Sequence, residues 1–344
     1  MGMATRNPYT NALVFDSDNV PFGMCLGVYT IPAGQTWSRS WPLLAGCTLR
    51  VTTIYATTAT VGISVAYPSS VPTVSAASYP YERVIVVFAT GSPASTSGAG
   101  VMAKSASSGA VALSTKGRGL NYIGKAVHTS TSPAVGTPSR TQMDGQYNRP
   151  PIVSVTITSV NRPVPVIKLG AHWQVALNAF ASNGNGTWSM SMLSLTTGPA
   201  SNATSWPDAV SPEVYCFAPP ADGGSVTVRD EQTGELAYNL TMSPLLSIAG
   251  QATWAANQID TYRPIPAGIS AGAVGAFGHT MFDWKTFTKP DSRWNNYDYV
   301  GVLQIESGQI LRRRMIRGMV RDDGGTTFLA DPGATIEIIN LAGF

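Results

Sequence analysis

Charge is scarce in this chain. Asp, Glu, Lys and Arg together make up 12% of its 344 residues, about half the usual share. The net charge of +3 leaves no broad basic footprint for nucleic acid. Histidine occurs three times, as His128, His172 and His279. None stands in an H-x-x-x-H or H-E-x-x-H spacing, so no zinc centre is expected. The three cysteines, Cys25, Cys47 and Cys216, are an odd number without metal-ligand spacing. A Cys25–Cys47 bridge is geometrically open, and buried free thiols made in a reducing cytoplasm are the favoured alternative. No run of 18 apolar residues occurs, which excludes a membrane-spanning helix. The opening residues MGMATRNPYTN carry no apolar h-region, so no secretory signal peptide is expected. There is no G-x-S-x-G, no P-loop and no dinucleotide fingerprint.

What is present is alternation. Apolar residues reach 44%, enough for a sizeable core. Short runs with a period of two recur, at Ala12–Phe15, Met24–Ile31, Cys47–Tyr55, Val61–Ala66 and Arg83–Ala89. Breakers such as Asp16-Ser17-Asp18-Asn19 and Pro32-Ala33-Gly34 separate them. Residues 91–150 turn rich in Gly, Ser and Ala. They predict long docked loops with two or three weak strands, in which Lys104, Lys116, Arg118 and Lys125 read as a solvated face. After Pro150-Pro151 the alternation returns at Ile152–Thr158, Val164–Leu169 and His172–Ala179. Asn183-Gly184-Asn185-Gly186 before Thr187–Met192 predicts a hairpin with a type I′-like turn. Hardly any window has a helical period. The expected fold is all-β: two β-sandwich-like domains with long loops and few helices. Their expected extents are 1–218, with the insertion at about 91–150, and 219–344.

The stretch from Pro212 to Gly250 introduces the second of these. Val214-Tyr215-Cys216-Phe217 is an apolar run closed by Pro219-Pro220. Val226-Thr227-Val228-Arg229-Asp230, a Gly-bearing turn, and Gly234-Glu235-Leu236-Ala237-Tyr238 follow, which reads as a β-hairpin. A similar plan appears at Ala12-Leu13-Val14-Phe15-Asp16 and at Val28-Tyr29-Thr30-Ile31-Pro32-Ala33-Gly34, before the segment Gly46-Cys47-Thr48-Leu49-Arg50. These segments resemble tail proteins of tailed bacteriophages of the siphophage and prophage type, over about a quarter of the chain. The resemblance implies a virion tail component, a fibre or receptor-binding protein. It implies a homotrimer assembled with other tail proteins, made in the host cytoplasm. It carries over no catalytic residue and no cofactor.

Binding chemistry concentrates in the last third. Residues 277–299 hold seven aromatics in 23 positions, among Asp, Asn, Lys and Arg. Aromatic faces stack on sugars or on pilin surfaces, and amides and carboxylates bond to hydroxyls. The receptor-binding candidates are Asp283, Trp284, Trp294, Asn295, Tyr297 and Tyr299. Asp283, Asp291 and Asp298 would suit glycoside hydrolysis only if two of them flanked the scissile bond, and no enzyme is expected. Arg312, Arg313, Arg314 and Arg317, with Arg321, form a cluster suited to an anionic neighbour. The first four are the candidates for subunit contact. The expected function is adsorption to a host surface glycan or pilus. The alternative is an architectural baseplate or fibre-attachment subunit with no receptor contact. No nucleic acid, metal or membrane span is expected.

Overall fold

The computed structural model describes residues 4–6, 13–16, 23–54, 62–91, 102–104, 111–114, 119–136, 149–198, 204–220, 227–229, 236–239, 245–256, 258–277, 283–288, 295–321 and 333–344. Their regular secondary structure is almost entirely strand, with three short 3-10 turns at Pro42–Leu44, Pro68–Ser70 and Ala271–Ala273. The chain is all-β.

In chain order the strands begin with β1 (Ala4–Arg6), β2 (Leu13–Asp16), β3 (Gly23–Ile31), β4 (Trp37–Ser40), β5 (Thr48–Ile54), β6 (Ile63–Ala66), β7 (Thr73–Ala76) and β8 (Arg83–Thr90). Next come β9 (Met102–Lys104), β10 (Val111–Ser114), β11 (Asn121–Lys125), β12 (Val127–Ser132), β13 (Ile152–Thr158), β14 (Val164–Lys168), β15 (Gln174–Ser182), β16 (Thr187–Leu195) and β17 (Val214–Ala218). The last are β18 (Thr227–Arg229), β19 (Leu236–Asn239), β20 (Ser247–Trp254), β21 (Thr261–Pro264), β22 (Val274–Phe277), β23 (Asp283–Thr288), β24 (Asn295–Glu306), β25 (Gln309–Arg321) and β26 (Ala334–Asn340).

One nine-stranded antiparallel sheet, in the order β11-β17-β14-β22-β26-β20-β3-β8-β5, organises the rest. It takes strands from both sides of residue 218, so the sheet itself crosses the expected domain boundary. The hairpin β18–β19 forms as read from the sequence, with Val228 opposite Tyr238. Its Ala237 and Tyr238 pack into a core shared with β3, β5 and β8.

The sheet curls. Adjacent strands lie roughly 4.8 Å apart, so strands four places apart would stand roughly 19 Å apart in a flat sheet. Yet Phe88 of β8 and Phe277 of β22 meet with centroids 5.8 Å apart. Thr52 of β5 donates to the carboxylate of Glu337 of β26, again four places along. At the other edge, Leu246 N–H donates to Leu120 C=O at 2.7 Å, and Asn121 bridges to Leu245. That ties the β11 edge to the start of β20. Right-handed twist, accumulated over nine strands, supplies this curvature. The concave face closes on its own side chains: Val84, Val86 and Phe88 meet Val164, Val166, Tyr215, Phe217, Phe277 and Ile339.

Smaller sheets tile the convex face. The sheet β4-β7-β6 covers Leu26, Ile31, Ile85 and Val87 with Trp41, Val74 and Ala76. The sheet β12-β13-β16-β15 covers Ile167, Val214 and Cys216. The sheet β21-β25-β24-β23 covers Ala252, Trp254, Ile336 and Ile338. A strand buried on both faces needs no polar alternation. This is why Val84–Ala89 and Val214–Ala218 are unbroken apolar runs and buried throughout. Each fully buried Val, Ile or Phe contributes about 1.5–3 kcal/mol.

The turn joining β15 and β16 departs from the expected geometry. Asn183 N–H bonds to Thr187 C=O at 3.0 Å. The positive φ angles fall on Gly184 (78°) and Gly186 (73°), not on an Asn-Gly pair. Three residues therefore cross between the strands, and Asn185 keeps ordinary φ while its side chain accepts from Thr187 N–H at 3.2 Å. The three cysteines are free and buried. Cys25 belongs to the concave core and Cys47 to the convex one, so the sheet separates them.

Candidate functional site

The sheet β21-β25-β24-β23 gathers nearly all the residues singled out for binding. Its spine is the long hairpin β24–β25, turned by Ser307 (φ 50°) and Gly308 (φ 70°). Both turn residues have positive φ, as a tight hairpin requires. The base of the hairpin is gripped on two sides. Leu303, Ile305 and Ile310 pack on the nine-stranded sheet. Val300, Val302 and Met315 pack on Ala176, Leu193 and Leu195 of β15 and β16. Alternation along Val300–Ile305 produces this split.

Beyond that base the hairpin continues, and β23 joins it. The register sets Asp283 opposite Val300, Trp284 opposite Tyr299, Thr286 opposite Tyr297 and Thr288 opposite Asn295. Five of the six receptor-binding candidates therefore stand on two adjacent strands. Trp294 lies outside the described residues, as does Asp291. On the other side Tyr297 is opposite Met319 and Tyr299 opposite Ile316. Arg317 is the extra residue where the β24–β25 register shifts, between the Asp298–Gly318 and Tyr299–Ile316 pairs. A bulge of this kind re-aims a strand.

The arginine cluster is divided by the fold. Arg312 is 0% exposed, opposite Leu303 and Thr261. Expected as a subunit contact, it instead belongs to the interior of its own chain. It shares a strand face with Ile310, which packs on the nine-stranded sheet. Arg313 is engaged within the chain: Nη2 donates to Glu306 at 3.1 Å, and Asp260 lies 3.8 Å from Nη1. Arg314, opposite Gly301, is exposed.

Around the hairpin turn sits a polar cluster that sequence reading passed over. The Glu306 carboxylate accepts from Arg313, from Gln304 Nε2 at 2.9 Å and from the Tyr262 hydroxyl at 3.2 Å. His172 Nδ1 stands 3.9 Å away, on a residue with φ of 63°. Partial burial raises the Glu306 pKa, but the Arg313 hydrogen bond and charge outweigh it and hold the carboxyl below its usual range. Burial and the neighbouring Glu306 push the Tyr262 hydroxyl upward. The available signal was the period of two, which places Gln304, Glu306 and Arg313 on one face of the hairpin.

Glu306 is thus the shared acceptor of a polar network built from β21, β24 and β25. Burial pushes the Cys25 and Cys216 thiols up to about 12, far from a reactive thiolate. Among the described residues no group of three or more His, Cys, Asp or Glu is assembled to hold a metal ion. Among them, too, no helix is long and apolar enough to cross a membrane. Compared against protein-family models, curated proteins and solved structures, the chain matches none.

Proposed function

We propose that this chain is a structural, non-enzymatic protein of a bacteriophage tail that binds the host cell surface during adsorption. The observation that carries the reading is the register of β23 on β24. It brings Trp284 opposite Tyr299 and Thr286 opposite Tyr297, on a sheet whose base is fixed between two others. Aromatic residues on a rigid scaffold suit a glycan or pilus surface at low entropic cost. The tail-protein resemblance of the segments around Val28–Gly34 and Val226–Tyr238 points the same way. A homotrimer in the virion, beside other tail proteins, would multiply weak contacts by copy number.

The test is a phage carrying Trp284→Ala or Tyr297→Ala. Adsorption to host cells should fall about tenfold or more, while particle yield and morphology stay unchanged. Undiminished adsorption overturns the reading. Failure to assemble favours the architectural alternative, as would an antibody to residues 283–299 that does not reach intact particles.

A further inference from the structure

The sheet β12-β13-β16-β15 has no Asp, Glu, Lys or Arg in any of its four strands. Among the described residues every other sheet carries at least one such residue: Arg6, Arg39, Lys104, Lys168, Arg229 or Arg263. β12 is an edge of the uncharged sheet. Its first five residues, Val127 to Thr131, are all exposed. Val127 is 66% exposed, and two more exposed aliphatic residues flank the strand, Ile123 before it and Val135 after it.

An edge strand presents a row of main-chain N–H and C=O groups on its outer side, and edges that stay single are blunted by charge, proline, bulges or cover. The β21 edge has both Arg263 and Pro264. The β11 edge is tied to Leu245 through the Asn121 bridge. β12 has a bulge, where the register shifts between His128 and Ser130. The extra residue, Thr129, is tied back to its own sheet, its hydroxyl donating to Ser154 C=O at 3.0 Å. Beyond it Ser130, Thr131 and Ser132 resume the ladder with β13. The composition of β12 selects what completes the edge. A foreign strand is commonly specified by paired charges, and β12 offers none. Antiparallel pairing about a two-fold axis sets a strand against its own sequence, so like charges near the axis would face each other. β12 avoids that penalty, and Ser and Thr side chains pair favourably with one another across strands.

We propose that β12 pairs antiparallel with β12 of a second copy across a two-fold axis, making one continuous sheet of twice the width. The contact doubles whatever assembly the chain otherwise forms, so it is separate from the adsorption and trimer readings. Sedimentation of the purified full chain over a concentration series would test it. Val127→Lys and Thr131→Lys change exposed side chains and bring like charges together at the axis. Each should weaken association about tenfold or more and halve the mass at a concentration where the parent is assembled. In the parent, hydrogen exchange of the β12 amides should slow as concentration rises. Near-ultraviolet circular dichroism would check folding; if Val127→Lys fails to fold, Thr131→Lys and the exchange of the parent decide. A dimer falling to a monomer supports this contact alone, and a hexamer falling to a trimer supports it together with the trimer reading. Three outcomes overturn it: a parent that stays monomeric at near-millimolar concentration, an assembled mass that neither folded variant lowers, or β12 exchange that ignores concentration. A trimer unmoved by both variants would thus remove this contact and leave the trimer reading in place.

Discussion

Phe88 and Phe277 face each other across the concave side of the main sheet, with centroids 5.8 Å apart and planes at 37°. Their strands, β8 and β22, are four places apart in the sheet order. The contact therefore exists only because the sheet curls, and it joins the two parts of the chain that sequence reading placed in separate domains.

The pair should behave as one energetic unit. Phe88→Ala or Phe277→Ala should each cost about 3–5 kcal/mol. The double variant should cost less than the sum by about 0.5–1.5 kcal/mol, the coupling expected of a ring pair. Urea unfolding followed by tryptophan fluorescence, with hydrogen exchange read at β8 and β26, measures both points. Either variant should shift protection in both strands together. A strictly additive cycle, or two separate transitions, would contradict a shared core.

Local pattern and long-range pairing were not equally legible. Ile152–Thr158 was read to the residue because a half-buried strand alternates, and its burial follows that alternation. The Ser307-Gly308 turn needed no tertiary information either. The neighbours of β14, by contrast, are β17 and β22, and no local period encodes which distant strand completes a sheet. Pro219-Pro220, just after the boundary expected at residue 218, is punctuation in the chain, and local punctuation does not say which sheet the strands on either side join. At the candidate site the aromatic enrichment of 277–299 stood out. The division of the arginines did not, since a buried Arg312 and an exposed Arg314 are two of the same residue type on the same strand face.

Glu337 supplies a pH signature. Burial in the curled sheet raises its pKa above the normal carboxyl range, against the lowering effects of hydrogen bonds from Thr52 and Gln251 and of the charge on Arg50. A raised folded-state pKa makes the sign unambiguous. The favourable contribution is complete below the unfolded-state pKa and is lost as pH rises through the folded one. Glu337→Gln should therefore raise the urea midpoint at pH 8 and leave it nearly unchanged at pH 4. Equal effects at both values would show that desolvation of the carboxylate does not govern this site.

Glu213 works in the opposite direction. Its carboxylate is held at about 2, first by the Lys125 hydrogen bond and then by Lys168, whose Nζ lies 2.6 Å away. A depressed pKa gives stability that is present above the unfolded-state value and lost as pH falls toward about 2. The group is 39% exposed, so solvent screening limits the effect to about 0.5–1 kcal/mol. Glu213→Gln should lower stability by that amount at pH 7 and flatten the acid limb of the stability profile. A variant as acid-sensitive as the parent would assign that limb to other carboxylates.

The arginines of β25 make the sharpest contrast, because the fold assigns different surroundings to chemically identical neighbours. Arg312 is fully buried, its carbonyl accepting from Asp260 N–H at 2.9 Å. Truncation to Ala would remove a side chain that fills the core and strand its former contacts, at a cost of about 3 kcal/mol or more. Arg314 is exposed on the same strand face, and Arg314→Ala should change stability by no more than about 0.5 kcal/mol. If arginines of this strand also hold copies of the chain together, then of Arg312 and Arg314 the exposed one is placed to act in that way. Sedimentation at matched concentrations should then show a change in mass for Arg314→Ala. Arg312→Met, which keeps volume and loses charge, should alter urea sensitivity while leaving the assembled mass intact. The reverse pattern, with mass following residue 312, would mean that this strand opens to expose its interior face on assembly.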